Sequence, residues 1–177
     1  MASNVEENYL RIQAFGDRPL YPYEWLRFHE SNRFIGGREL TPYLVEAMAI
    51  VPFFSGAKGV VLWGYEPQVK VGDPLPYTQL PLYVASLARI ASLSELLGKG
   101  QLIIEQPAQA LWQSKSPFVR RVEIADRECV VAAINPWQGD DEKSTTTVTC
   151  GGKAVPIAMN GRHTTLVDIR DGEALVH

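Results

Sequence analysis

GAKGVVLWGYEP, residues 56–67, contains an unbroken apolar run, Val60-Val61-Leu62-Trp63, with no polar residue in alternation. Such a run is typical of a strand that is buried on both faces, as in a parallel sheet covered by helices. A predicted helix precedes it and begins at Thr41-Pro42, since threonine caps helices and proline fits their first turn. We therefore expect residues 58–64 to form an inner strand of a helix-covered sheet.

Residues 1–98 as a whole predict helices that alternate with single short strands. A helix is expected over Ser3–Phe15, and the strongest apolar stripe predicts another over residues 80–98. Between them, RPLYPYEW at residues 18–25 predicts a strand that its two prolines keep short. Strands separated by helices pair in parallel, which predicts an α/β arrangement. Because two strands alone make no stable sheet, this half looks incomplete.

Residues 101–177 differ, because they contain only short β-rich runs between turn signals. The runs are QLIIE, QALWQ, FVRRVEIA, ECVVAAIN, TTTVTC, AVPIAM, HTTLVDI and EALVH. Asn160-Gly161 and Asp171-Gly172 are strong hairpin markers among them. The pattern predicts an all-β domain over residues 101–177, folded as an antiparallel β-sandwich or a small barrel.

The composition is that of a globular protein, with 46% hydrophobic and 21% charged residues. A net charge of −3, with scattered Lys and Arg, argues against nucleic acid and against a polybasic membrane patch. No apolar stretch approaches the roughly 20 residues of a membrane helix, and the first residues do not read as a signal peptide. We expect a cytoplasmic chain as it stands, or a secreted one if a longer parent carries a leader.

Cysteine and histidine spacing gives no indication of a metal site or a cofactor. Cys129 and Cys150 lie far apart in strand-like sequence, and we expect two buried thiols in a reducing compartment. A disulfide between neighbouring strands is the alternative. His29, His163 and His177 lack metal-ligand spacing, and no nucleotide-binding motif is found. We therefore expect neither a metal nor another cofactor.

The order of β/α units followed by a β domain resembles glycoside hydrolases with a (β/α)8 barrel. Locally, PLYPYEW, the loop and helix after it, and GAKGVVLWG are similar to the last two βα units of hyaluronidase-like barrels. The resemblance implies that residues 1–98 are the last part of a TIM-type barrel, followed by a β-sandwich at residues 101–177. It also implies that Tyr23 positions the substrate and that Trp63 contacts sugar at the end of the eighth strand.

The sequence departs from this family in two places. After Tyr23 the family has a small residue and an arginine, whereas this chain has Glu24 and Trp25, with arginine only at Arg27. The family's catalytic Asp-x-Glu follows its fourth strand, and no catalytic carboxylate pair is identified in this chain. Three such strings lie at predicted turns, where solvated acidic residues are usual, and we do not assign them to catalysis: Asp126–Glu128, Asp140–Glu142 and Asp171–Glu173.

Barrel enzymes place their sites at the carboxyl ends of the strands, which selects residues after each predicted strand. Flat aromatic faces suit sugar rings, and carboxylates suit hydroxyl binding or proton transfer. The candidate catalytic carboxylate is Glu24, and the candidate substrate-binding residues are Tyr23, Trp25, Arg27, Trp63, Tyr65 and Glu66.

Several candidates have a structural alternative. Trp63 could be barrel core, Glu24 could pair with Arg27, and Glu66 could cap a loop before Pro67. His29-Glu30, in the long loop, is favoured as a solvated pair over a general base. In the second half, Trp137 is favoured as core packing or a turn plug over an exposed sugar-binding residue, and Trp112 stands out beside it.

The sequence thus predicts the C-terminal portion of a glycoside hydrolase-like protein that acts on a polysaccharide or glycosaminoglycan-like glycan and is not active alone. The expected partners are carbohydrate and either the missing barrel half or a second copy of the chain. The alternatives are a non-catalytic carbohydrate- or protein-binding accessory module and a structural α+β protein.

Overall fold

The structure is a computed structural model that describes residues 2–14, 18–25, 41–63 and 75–177. Its helices are α1 (Ala2–Gln13), α2 (Pro42–Ile50), α3 (Leu75–Ala91), α4 (Ser94–Lys99) and α5 (Ala108–Gln113), with a 3₁₀ turn at Phe53–Ser55. Its strands are β1 (Tyr23–Trp25), β2 (Val61–Trp63), β3 (Gln101–Ile103), β4 (Phe118–Ala125), β5 (Glu128–Ile134), β6 (Lys143–Cys150), β7 (Lys153–Asn160), β8 (Thr165–Arg170) and β9 (Glu173–Val176). The architecture mixes helix and strand and contains a five-stranded antiparallel sheet.

Strands β1 and β2 form a two-stranded parallel pair, with α2 between them along the chain. The predicted parallel pairing is confirmed. Strand β1 begins directly after Pro22, because a proline has no amide hydrogen to donate to the strand ladder. The prediction that the second strand is buried on both faces is wrong for Val61, which is 40% exposed. Leu62 packs against the core beneath the helices, so helices cover one face of this pair and leave Val61 open on the other.

The five-stranded sheet has the order β3-β4-β5-β8-β9, with every neighbouring pair antiparallel. Asp171 and Gly172 join β8 to β9 with φ of 52° and 89°, which confirms this predicted hairpin turn. Strands β6 and β7 form a separate hairpin through Gly151 and Gly152, both at positive φ. Such a two-residue turn matches the right-handed twist of the strands that it joins.

The two faces of the sheet pack against different layers. Val130, Ala132 and Leu166 face a core shared with α2, α3 and the 3₁₀ turn. Alternate residues of the same strands, such as Val131 and Val167, face the β6–β7 hairpin. The sheet is thus the middle layer between the helices and the hairpin. Its helix-side core draws on both sides of the predicted boundary at residues 98–101, and the division into two domains stays a prediction.

Three predictions of local structure are wrong. QALWQ forms helix α5 instead of a strand, because Pro107 starts a helix there and Ala, Gln and Leu favour its continuation. The helix predicted over residues 80–98 is divided into α3 and α4 by a turn at Leu93, whose side chain enters the helix-side core. Asn160-Gly161 is not a hairpin turn, since β7 pairs with β6 whereas β8 pairs with β5.

The expectation of two free thiols is also wrong, because Cys129 and Cys150 form a disulfide. Both residues are buried, with 0% and 2% of their surface exposed. Cys129 lies on β5 and Cys150 ends β6, so the bond joins the sheet to the hairpin that covers it. Disulfides are typical of proteins that fold in oxidising compartments.

Two ionic clusters attach the helices to the β layers. In the first cluster Glu6 of α1 pairs with Arg120 of β4, and in the second Glu46 of α2 pairs with Arg89 of α3. Glu46 Oε2 also accepts a 2.9 Å hydrogen bond from the Thr164 amide, and the Nδ1 of His163 lies 3.1 Å from the same oxygen. Helix α2 is thereby joined to the segment that leads into β8.

Candidate functional site

The residues predicted at the two strand ends lie side by side along the backbone. In the register of β1 and β2, Tyr23 is opposite Val61, Glu24 is opposite Leu62, and Trp25 is opposite Trp63. Because parallel strands run in the same direction, their carboxyl ends meet at one edge of the pair. Trp25 and Trp63 therefore end the two strands next to each other, at the edge where barrel enzymes place their sites.

The remaining candidates at this edge, Arg27, His29, Glu30, Tyr65 and Glu66, lie outside the described residues. Backbone hydrogen bonds of 2.9 Å from Lys58 to Leu20 and from Val61 to Pro22 hold the approach to the strands in register. Tyr21 is 53% exposed and lies over Gly59, where a Cβ atom would be 3.0 Å from its ring. Tyr21 thus lies on the open face of the pair, at the end where the two strands begin.

A second aromatic feature lies where α5 meets the segment after β5. The rings of Trp112 and Trp137 are 4.5 Å apart between centroids and tilted by 53°. They are 64% and 37% exposed, so core packing is wrong for Trp137, whereas its position in the turn after β5 agrees with the alternative of a turn plug. Its Nε1 donates a 3.2 Å hydrogen bond to the Ser116 carbonyl, and its amide donates one of 3.2 Å to Asn135 Oδ1. These bonds keep the ring at the surface instead of in the core.

A cleft of about 280 Å³ opens beside this aromatic pair, between β4 and β6. Ser116, whose carbonyl binds the Trp137 indole, is also part of the cleft wall. Polar groups along the cleft come from the strands and from the segment before α5, namely Glu105, Gln106, Arg120, Arg121, Thr146, Thr147 and Thr149. Apolar groups come from Ile103, Leu111, Pro117, Val119 and Val148.

The arginines of the cleft are already paired with carboxylates. Arg121 bonds to Glu105 and, at 2.9 Å, to Glu123. Burial alone lowers the pKa of Arg121, but the hydrogen bonds to these two carboxylates outweigh it, so the pKa is raised above its ordinary value. Arg120 is paired with Glu6, with 2.8 Å between its Nη2 and a carboxylate oxygen. The cleft therefore offers hydroxyl groups and paired ions instead of an unpaired positive charge.

The three Asp-x-Glu strings lie at turns, as predicted. Asp126 and Asp171 are exposed in the turns that follow β4 and β8, and Asp140 is exposed before β6. Asp171 and Asp140 each lie 3.6 Å from an arginine of a neighbouring turn. Their surroundings are those of solvated surface carboxylates.

Sequence reasoning missed the cleft, although two signals for it were present. Pro107 followed by Ala and Gln indicates a helix start, which would have placed Trp112 on a helix. The threonine-rich run of β6 has polar residues on an exposed strand face, which indicates a wet surface. Within the described ranges, no group of three or more His, Cys, Asp or Glu side chains could hold a metal ion. In the same ranges no helix combines the length and the apolar character needed to cross a bilayer.

Comparison of the chain with models of known protein families, with curated proteins and with solved structures finds no match.

Proposed function

We propose that this chain is the C-terminal portion of a glycoside hydrolase-like protein that acts on a polysaccharide or glycosaminoglycan-like glycan. The observation that carries the proposal is the parallel register that sets Trp25 opposite Trp63 at the carboxyl ends of β1 and β2. In (β/α)8 enzymes this edge carries the site. Two tryptophans at neighbouring strand ends supply the residue type that binds the apolar face of a pyranose.

The open face of the strand pair supports the barrel interpretation. Helix α2 links β1 to β2, as a helix links successive strands in such barrels, and among the described residues the helices cover the face that carries Leu62. Among the described residues, Val61 of β2 and Tyr21, which precedes β1, are exposed. A two-stranded sheet is marginal alone, so we propose that further βα units complete it. The β6–β7 hairpin packed on the five-stranded sheet is then the sandwich domain that follows the barrel.

In this proposal the strand-end residues have distinct roles. Trp25, Trp63 and Tyr23 bind the sugar chain, with Arg27, Tyr65 and Glu66 beside them in sequence. Glu24 is the candidate carboxylate for proton transfer. Glycoside hydrolysis ordinarily needs two carboxylates, and the turn strings of the β domain do not supply them. We therefore expect this chain to bind glycan without turnover.

The test measures binding and turnover together. The 177-residue chain is run in affinity gels containing hyaluronan, xylan or soluble chitin, and reducing-sugar release is assayed on the same polymers. We expect retardation by at least one polymer, no release of reducing sugar, and weaker retardation for Trp63→Ala and Trp25→Ala than for Leu175→Ala, an exposed control. Unchanged retardation in both tryptophan variants would contradict the strand-end site.

The enzyme part of the proposal has its own test. We expect the upstream reading frame to encode further βα units with an Asp-x-Glu string after a strand. A chain joined to that segment should release reducing sugar, and substitution of the upstream Asp-x-Glu carboxylates should abolish the release. A stop codon or an unrelated frame upstream would leave the accessory-module alternative in its place.

A further inference from the structure

We infer that the Trp112–Trp137 pair and the cleft between β4 and β6 form a second glycan subsite, which takes an uncharged pyranose chain. The subsite is separate from the strand ends of β1 and β2. Its aromatic part would stack on sugar rings, and its polar part would bind their hydroxyl groups. The inference depends on the surface of the β domain alone and goes beyond the proposed hydrolase function.

The aromatic pair is held in place before any ligand arrives. Trp112 lies on α5, whose Leu111 packs with Ile134 of β5 in a small core, and Trp137 follows β5 closely. The indole of Trp137 is fixed by its bond to the Ser116 carbonyl, and its amide by the bond to Asn135. A surface whose side chains are already ordered loses little entropy on binding, which helps it to hold a ligand that makes few contacts, such as a sugar chain.

The exposed aromatic surface is much smaller than a protein interface. With exposures of 64% and 37%, the two indoles present roughly 150–250 Å² in all. A stable protein interface buries about 800 Å² on each partner, several times this area. The rings are also tilted by 53° to each other, so they do not form one flat patch. Such a surface suits a narrow chain that bends from one ring to the next.

The cleft adds polar groups that suit hydroxyls. Thr147 and Thr149 of β6 are exposed, and both contribute to the cleft wall opposite the β4 side. Ser116 contacts both parts, since it lines the cleft and accepts the indole hydrogen bond of Trp137. A ligand on the aromatic pair can therefore continue along the threonines. The volume of about 280 Å³ is close to the lower end for small-molecule sites.

The charges of the cleft indicate a neutral ligand. Both of its guanidinium groups are paired, Arg120 with Glu6 and Arg121 with Glu105 and Glu123. An anionic sugar would have to compete with these carboxylates, whereas a neutral one leaves the pairs intact. We therefore assign the subsite to an uncharged glycan and not to a glycosaminoglycan.

The experiment is calorimetric titration of the whole chain with hexasaccharides of glucose, xylose and N-acetylglucosamine, with a hyaluronan hexasaccharide as the anionic arm. We expect one of the neutral ligands to bind, with affinity lowered at least about tenfold by Trp112→Ala and by Trp137→Ala. Thr147→Val, which removes a cleft hydroxyl at constant shape, should also weaken binding. Thr145→Val, on the same strand but outside the cleft, and Leu175→Ala should not.

Each other outcome overturns the inference. These are no binding of any neutral ligand, tighter binding of hyaluronan, or tryptophan variants that bind like the parent. Concentration-dependent dimerisation that Trp112→Ala abolishes would assign the surface to a second copy of the chain. Loss of binding in Trp63→Ala alone would reject this subsite and support the strand-end site. If Trp137→Ala fails to fold, Trp112→Ala and Thr147→Val decide the question, because both side chains are exposed.

Discussion

Glu6 and Arg120 form an ion pair that is almost fully buried, although 114 residues separate them. The two carboxylate oxygens lie 2.8 and 3.1 Å from the Arg120 Nη2, which also donates to the Gln106 carbonyl. The amide of Ala108 donates a 2.7 Å bond to the same carboxylate. One carboxylate thus fixes α1 against both the start of α5 and strand β4.

Removing one member of this pair should be strongly destabilising. Glu6→Gln or Arg120→Met leaves the other charge buried with less compensation, which typically costs about 3–5 kcal/mol. Urea unfolding monitored by circular dichroism measures the change. The matched control is Arg11→Met, which removes an exposed pair with Glu7 and should change the free energy of unfolding by less than about 1 kcal/mol. Similar losses for the buried and exposed pairs would contradict the described position of α1.

The Cys129–Cys150 disulfide should be present in the purified protein and should stabilise it. Without reductant, the unfolded chain should resist alkylation at both cysteines, as intact mass measures. The bond spans 21 residues of sequence, so replacing both cysteines with alanine should cost about 3 kcal/mol in the chain-entropy estimate. Two alkylated thiols in protein prepared under oxidising conditions would contradict the bond.

Glu46→Gln should destabilise the attachment of α2 to the β layers. The carboxylate has a 13% exposed side chain and pairs with Arg89 while accepting from the Thr164 amide. An amide retains one acceptor and loses the charge, so a loss of about 1–3 kcal/mol is expected. Glu7→Gln, with a 60% exposed side chain, is the matched control and should lie within about 0.5 kcal/mol of the parent. Equal thermal midpoints for the two variants would show that the Glu46 cluster carries no stability.

Two glycine substitutions should change stability in opposite directions. Gly56 has φ of 98°, and a Cβ atom there would lie 2.2 Å from the Tyr9 ring, so Gly56→Ala should cost about 1–3 kcal/mol or more. Gly98 lies in α4 with nothing within 4 Å of a built Cβ. Gly98→Ala should therefore stabilise the protein by about 0.5–1 kcal/mol, because alanine is the better helix residue. Thermal melts of both variants test the pair, and a stable Gly56→Ala would contradict the close approach of α1.

Much of the local structure could be predicted, because its causes lie close together in sequence. Thr41-Pro42 indicates a helix start, and α2 begins at Pro42. The β-rich runs FVRRVEIA and ECVVAAIN form the neighbouring strands β4 and β5. Asp171-Gly172 supplies the positive φ that the β8–β9 turn needs. Each of these features depends on a few adjacent residues.

The long-range features could not be predicted, because they depend on tertiary contacts. Glu6 and Arg120 are, in sequence, ordinary charged residues that would be expected at the surface. Cys129 and Cys150 can bond only because the hairpin lies on the sheet, and spacing alone does not reveal that. QALWQ is too short for its periodicity to separate strand from helix. The exposure of Trp112 could not be predicted for the same reason, because Trp112 lies in this segment.

The candidate site was predictable to the level of backbone position. Parallel strands bring their carboxyl ends to one edge, so the strand assignment alone places Trp25 near Trp63. The cleft of the β domain needed the docking of β6 beside β4, which no local pattern contains. For this reason the sequence indicated notable aromatic residues in both halves, but it predicted a site only from those at the ends of β1 and β2.

The burial of the central sheet limits how this chain can vary. Along β5 every residue from Cys129 to Ile134 is buried, since helices cover one face and the hairpin the other. A polar side chain placed at any position of this stretch would therefore be buried. On β7 the exposed residues alternate with Val155, Ile157 and Met159, so every second residue can be replaced without disturbing the core. Divergent versions of this protein should therefore keep an apolar β5 while the outer face of β7 changes from one to the next.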